Sequence, residues 1–279
     1  MIASELIDHL FRNADHSRLA GGDINDVFLV NSNNSDLVVK INSKGDYPKM
    51  FEVEAKGLDL LKKAIKTPDV HYYGEEGTLQ YLILEHVSQG PNTKNFWLSF
   101  GKDLAALHKI TDSQFGLDHH NYIGSLHQSN RQQENWTDFL VNERLEVMTK
   151  LAVDNGKIGR EEARLMNRFY VKLDAFYPQE APSLIHGDLW GGNYLCSNEQ
   201  AVLIDPAVYF GHREMDIGMM HLFGGFDPLL FNTYNEAYPL EKDWEDRIPF
   251  HQIYPLMVHV NLFGGTYWRQ VYNILRQFA

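Results

Sequence analysis

Hydrophobic periodicity changes once along this chain, at Gln89-Gly90-Pro91, and that change restricts the folds open to it. Ahead of it lie short β-branched and aliphatic runs. Val27 to Val30 and Leu37 to Ile41 are separated by the polar turn Asn31-Ser32-Asn33-Asn34-Ser35, and Tyr81 to Leu84 is reached from His71-Tyr72-Tyr73 through a Gly74 to Gly77 turn. Such runs between turn clusters read as strands. Phe51, Ala55, Leu58, Leu61 and Ile65 recur at three- and four-residue steps, an amphipathic helix ended by Pro68.

Behind the change the helical period takes over, at Phe96 to His108, Trp136 to Leu151, Glu161 to Phe176, Met215 to Phe223, Phe250 to Phe263 and Tyr267 to Phe278. Only Tyr194 to Cys196 and Val202 to Ile204 interrupt it as short strands. The expected fold is α+β and bilobal, a β-rich lobe over residues 1–87 and a larger helical lobe over 88–279. A cleft between lobes is a usual place for a small ligand. Leu222-Phe223-Gly224-Gly225 and Leu262-Phe263-Gly264-Gly265 echo each other, which reads as two similar helix ends rather than a repeat.

The residues that carry chemistry sit in Leu184-Ile185-His186-Gly187-Asp188-Leu189-Trp190-Gly191-Gly192-Asn193. His186, Asp188, Leu189 and Asn193 fall on the His-x-Asp-Leu-x-x-x-Asn spacing of kinase catalytic loops. In that arrangement Asp188 accepts the proton of a substrate hydroxyl, and Asn193 reaches a magnesium ion on nucleotide phosphates. Twelve residues later Val202-Leu203-Ile204 ends in Asp205, a carboxylate suited to the same ion. The plainer alternative is a loop in which Asp188 caps a turn and Asn193 is solvated.

Lys40 lies inside the apolar strand Leu37-Val38-Val39-Lys40-Ile41, where a buried ammonium needs an anionic partner. The kinase arrangement offers ATP phosphates and Glu54, fourteen residues on. Because Val38 and Lys40 share a strand face, a solvent-facing position is the other reading. Gly21-Gly22 precedes the first strand and would let backbone approach phosphates, although the full Gly-x-Gly-x-x-Gly is absent. Glu85, His86 and Val87, leaving the last strand of the small lobe, are candidates for a hinge that hydrogen-bonds adenine; an ordinary strand exit is equally compatible with them.

Other classes are disfavoured. With 37 acidic and 25 basic side chains the formal charge is −12, which repels phosphate backbones, and no nucleic-acid partner is expected. One cysteine, Cys196, excludes an internal disulfide and an all-cysteine zinc site. No P-loop, His-Glu-x-x-His or Gly-x-Ser-x-Gly motif occurs. The stretch Ile248 to Trp268 lacks Asp, Glu, Lys and Arg but contains Pro249, Pro255, His251, His259 and Asn261; it reads as buried helix, not a membrane span. Met1-Ile2-Ala3-Ser4-Glu5 does not match an export signal, and a cytoplasmic protein is expected.

Taken together, His186 to Asn193, Asp205-Pro206-Ala207 and Tyr209-Phe210-Gly211-His212-Arg213-Glu214-Met215-Asp216 resemble the fructosamine kinase (ketosamine-3-kinase) family. Asn121-Tyr122-Ile123-Gly124-Ser125 with Gln128 and Asn130, and His259-Val260-Asn261-Leu262-Phe263-Gly264, resemble its segments too, from about Gly21 to Tyr267. The resemblance implies a protein-kinase-like, aminoglycoside-phosphotransferase-like fold. It also implies ATP-dependent phosphorylation of the sugar 3-hydroxyl of ketosamines, small molecules or glycated lysines on proteins, as protein repair.

By resemblance Asp188 is the base, Asn193 and Asp205 hold Mg2+, and Lys40 with Glu54 holds the phosphates. Glu85, His86 and Val87 contact adenine, and Trp190, His259 and Asn121 belong to the substrate side. Where protein kinases have Arg and Asp-Phe-Gly, this chain has Gly187 and Asp205-Pro206-Ala207, so no receiver for an activating phosphate is expected. The rivals are a kinase of the same fold acting on choline or an aminoglycoside, and a nucleotide-binding module without catalysis.

Overall fold

The alternation of β-branched residues around Lys40 is resolved by helices on both faces of one sheet. The computed structural model describes residues 2–12, 14–19, 24–32 and 35–278. Strands β1 (His16–Arg18), β2 (Asp26–Ser32) and β3 (Ser35–Ser43) are followed by helix α2 (Met50–Leu61), then β4 (Val70–Glu76) and β5 (Leu79–Glu85); helix α1 (Ala3–Phe11) precedes them. The strands form one antiparallel sheet of order β1-β2-β3-β5-β4. Leu6 and Ile7 of α1 pack with Phe28, Val30, Val39, Ile41 and Tyr81. Met50, Phe51, Ala55 and Leu58 of α2 pack on Leu82 and Leu84, with Val38 beside them.

Period two therefore turns Val39 and Ile41 toward α1, and Val38 and Lys40 toward α2. Lys40 is 6% exposed, so the solvent-facing reading is excluded. Three strands were expected here and five are present among the described residues. β1 is too short to show as a run, and His71-Tyr72-Tyr73 is part of β4. Gly74 lies within that strand, and the turn is only Gly77-Thr78.

The helical lobe begins with α3 (Lys94–His108), whose first turn is capped by Thr93 Oγ1 accepting from the Phe96 amide at 3.2 Å. Then come β6 (Asn121–Ile123), β7 (Leu126–Gln128), α4 (Trp136–Leu140), α5 (Glu146–Asp154) and α6 (Arg160–Tyr170). After them run β8 (Ser183–Ile185), β9 (Tyr194–Ser197), β10 (Gln200–Leu203), β11 (Tyr209–Gly211), α7 (Glu214–Phe223), α8 (Pro228–Ala237), α9 (Trp244–Phe263) and α10 (Thr266–Phe278). One large apolar core unites α3, α5, α7, α9 and α10.

The expected helix Trp136 to Leu151 is interrupted by a π-helical turn, Val141–Leu145. Arg144 on that turn is fully buried, its guanidinium 4.0 Å from the Tyr209 ring centre and 4.6 Å from that of Phe139. α8 escaped the sequence reading, although Asp227 caps it at Leu229 N (2.8 Å) with Pro228 in first position. The charge-free stretch from Ile248 falls in α9 and α10, divided at Gly264-Gly265. Among the described residues, no helix is long and apolar enough to cross a membrane.

Candidate active site

The loop from His186 to Asn193 hangs between β8 and β9 and is fixed from below by a buried carboxylate. Asp216, on the otherwise apolar face of α7, accepts the amides of His186 (2.8 Å) and Gly187 (2.9 Å), and His108 Nε2 stands 3.2 Å from it. Burial opposes its charge, but His108 and the loop amides outweigh it, and the carboxyl stays below the ordinary aspartate value. His186 then ties the loop to the strand carrying Asp205. Its Nε2 lies 3.0 Å from Ile204 O, its carbonyl accepts from Ala207 N at 2.9 Å, and its Nδ1 accepts from Asp188 N at 3.2 Å. That set assigns the proton to Nε2, and burial pushes the imidazole below its ordinary pKa. Gly187 has φ +81°, and a Cβ there would stand 2.2 Å from Ala207 O. Only glycine fits where the two segments touch.

This stitching brings the sequence-predicted acids into one cavity between the lobes, lined by Lys40, Glu54, Asn121, Asp188, Trp190, Asn193 and Asp205 among others. Lys40 Nζ donates to Glu54 Oε1 at 2.6 Å and also to Asp205 Oδ1. Burial alone would lower the ammonium pKa; the carboxylates of Asp205 and Glu54 outweigh it and raise it above its usual value. Asn193 Nδ2 donates to Asp188 O at 2.8 Å and to Asp188 Oδ2 at 3.1 Å. Asp188 is pushed up to about 7, first by burial and then by the charge of Asp205, against the Asn193 bond. Asp205 is a non-glycine residue at φ +54°, a conformation that aspartate tolerates better than most side chains.

The donor set matches what a magnesium ion takes. It combines the half-exposed Asp205 carboxylate, the Asn193 amide oxygen and a second carboxylate nearby, with one lysine to offset three acids.

Asn121 reaches the cavity wall, but its side chain is committed to protein. Its Nδ2 donates to Val208 O at 2.8 Å, and its Oδ1 accepts from Gln128 Nε2 (2.8 Å) and Asn130 Nδ2 (3.0 Å). Gln128 Nε2 also reaches Ala207 O at 3.0 Å, Tyr254 Oη donates to Gln128 Oε1 at 2.7 Å, and Arg144 Nη2 donates to Asn130 Oδ1 at 2.7 Å. A polar network thus runs from the π-turn to the carbonyls just after Asp205.

Trp190 is 41% exposed at the cavity edge, and His259 stands farther out, beyond Phe223. The Glu85 and His86 amides are used by Asp69 O (2.9 Å) and Asp36 O (3.3 Å), while Glu85 and Val87 line a separate depression with Lys66 and Asn198. Gly21 and Gly22 lie outside the described residues. The anchoring residues Asp216 and His108 were not assigned a role from sequence. Their signal is an acid at a core-facing position of an apolar helix and a histidine closing the apolar face of α3.

The family profile described as fructosamine kinase matches residues 2–279. A probable ketoamine kinase of Enterococcus faecium is 36% identical over 266 residues, covering 93% of this chain and 94% of that one. The crystal structure of a candidate fructosamine-3-kinase from Thermobifida fusca superposes with TM-score 0.86 at 33% identity, over 98% of this chain and 97% of that one. A thermostable variant of aminoglycoside phosphotransferase APH(4)-Ia, crystallised with ADP and hygromycin B, gives TM-score 0.68 at 16% identity, covering 99% of each chain. At that identity the likeness concerns the fold, the bilobal kinase-like fold expected from the sequence.

Proposed function

As the chain belongs to the fructosamine kinase family, we propose that it is an ATP- and Mg2+-dependent kinase that phosphorylates the sugar 3-hydroxyl of ketosamines. The observation that supports this best is the meeting of Asp188, Asn193, Asp205 and the Lys40–Glu54 pair in one cavity. The first 87 residues carry the nucleotide, and residues 88–279 carry the loop and the sugar.

Asp188 accepts the hydroxyl proton as the sugar oxygen bonds to the γ-phosphorus and the bond to the ADP oxygen breaks. Asn193 orients that carboxylate, and Lys40, held by Glu54, binds the phosphates. Asp205 and Asn193 would hold Mg2+, which supplies charge neutralisation on the phosphate oxygens when bound. Adenine meets the strand exit through the Glu85 carbonyl and the backbone of Val87, since the Glu85 and His86 amides are already used. Trp190, with its indole face, meets the sugar at the cavity edge, and His259 lies on the same substrate side but farther out, beyond Phe223. The phosphorylated adduct then breaks down and frees the amine, a repair of glycated amines, small or on protein lysines, in the cytoplasm.

ADP release measured in parallel with ribulosyl-lysine, fructosyl-lysine, choline and kanamycin tests this. Turnover on a ketosamine, with release of the free amine, is expected. Turnover on choline or kanamycin alone, or ATP binding without turnover on any of the four, overturns it.

A further inference from the structure

Five rings run outward from the catalytic loop without a break. Trp190 meets Phe223 with ring centres 6.5 Å apart, and Phe223 meets His259 at 4.8 Å. His259 meets Phe263 at 5.4 Å and Tyr267 at 5.0 Å. Four separate elements supply them: the loop, the end of α7, the end of α9 and the start of α10. Three of these aromatics are well exposed, Trp190 at 41%, Phe223 at 38% and Phe263 at 57%. Apolar surface that is contiguous and exposed is a feature of ligand and protein contact sites.

Their placement is built into the backbone. A Cβ on Gly192 would come within 2.3 Å of the Trp190 indole, so that ring lies across a glycine. Gly225 packs on Gly191, where a Cβ on Gly225 would stand 3.1 Å from the Gly191 Cα, and Tyr194 Oη donates to Gly225 O at 2.8 Å. That contact clamps the end of α7, and with it Phe223, against the catalytic loop. The two Leu-Phe-Gly-Gly segments are similar helix ends, and they share more than that. In each, the leucine packs on the core, the glycine amide closes the helix (Gly224 N to Met220 O and Gly264 N to Val260 O, both 3.0 Å), and the phenylalanine joins the strip.

We propose that this strip is a carrier subsite, receiving the amine-bearing arm of the ketosamine when that arm is an apolar chain or an aromatic ring. The inference rests on the ketosamine reading above. In such a substrate the amine leaves the sugar two carbons from the 3-hydroxyl, so its arm exits beside Asp188, where Trp190 belongs to both cavity and strip. None of the five residues is an acid, lysine or arginine, and burial keeps His259 below its ordinary pKa, so the surface offers dispersion and ring stacking, not ion pairing.

The test compares kcat/KM for the ribulosamines of ethanolamine, n-hexylamine and phenethylamine in the wild-type chain, Phe263→Ala, Phe223→Ala and, as an exposed control outside the strip, Val171→Ala. Thermal melting checks the fold of each. The wild-type chain should favour the hexyl and phenethyl adducts at least about tenfold over the ethanolamine adduct. That ratio should collapse to about threefold or less in the two phenylalanine variants and persist in Val171→Ala. Turnover of all three adducts without a carrier preference, or a preference that survives both phenylalanine variants, overturns the inference and leaves the ketosamine reading standing. Self-association in sedimentation that Phe263→Ala abolishes, with no carrier effect, overturns it in favour of an interface between copies. Failure to phosphorylate any ketosamine overturns both.

Discussion

Gly187 touches Ala207 so closely that the catalytic loop and the strand end bearing Asp205 form one unit, a Cβ at Gly187 falling 2.2 Å from the Ala207 carbonyl oxygen at φ +81°. Gly187→Ala is therefore expected to separate Asp188 from Asp205. Turnover should fall at least about a hundredfold, with a lowered Tm. A folded, active Gly187→Ala enzyme in steady-state assays would show that the two segments need not touch.

In the mechanism proposed above, Asp188→Asn removes the proton acceptor. Turnover is expected to drop at least about a hundredfold, the low end for a general base, with little change in the KM for ATP. The wild-type kcat/KM for the alcohol should rise with pH through about 7, because the carboxyl of the free enzyme holds its proton up to there. Raising Mg2+ should move that limb to lower pH, since a cation at Asp205 cancels part of the charge that raises Asp188.

The same shift has a stability consequence with a definite sign. Asp188 titrates near 4 in an unfolded chain and at about 7 when folded. Between those values the folded state binds more protons, so stability falls as pH rises and the full cost is present above about 7. An amide in place of the carboxyl has no such cost. The Tm difference between Asp188→Asn and wild type should grow from pH 5 to pH 8; a difference that shrinks over that range contradicts the assignment.

Lys40→Met leaves Glu54 and Asp205 facing each other without their shared ammonium. The KM for ATP should rise at least about tenfold. Breaking a buried pair costs about 3 kcal/mol, here less because Asp205 is half exposed. The loss should narrow as pH falls, because burial already holds the Glu54 carboxyl above its ordinary value and favours its protonation; chemical denaturation at a series of pH values checks it.

Asn121→Ala discriminates two roles for that residue. A residue that holds the Val208 carbonyl, as the 2.8 Å bond does, should raise the Mg2+ concentration needed for half-maximal rate by about tenfold through the loosened Asp205. A residue that binds sugar would raise only the KM for the ketosamine. Titrations of each, with the other saturating, separate the outcomes.

Much of this was legible because the chemistry sits in short, contiguous words. His186 to Asn193 and Asp205 announce themselves by spacing, and Lys40 by a charge inside an apolar strand. The supports were not legible, since they act across the fold: Asp216 is 30 residues from the amide it holds, and His108 is 108 residues from Asp216. The fate of Lys40 depended on a helix covering its strand face, which alternation alone could not decide. β1, β6, β8 and β11, each of three residues, are too short for any period to register. The π-turn depends on a buried arginine whose ring partners, Tyr209 and Tyr254, arrive from distant segments.

Only eight residues join Asp205 to the start of α7, and they are spoken for. Ala207 N is bonded to His186, Phe210 N to Gly116, and Tyr209 to Gly211 pair with β8. A tether that short has no slack for a segment that swings out and back. Between Asp205 and α7, therefore, an activation segment of the kind that swings in and out has no length of chain to swing with.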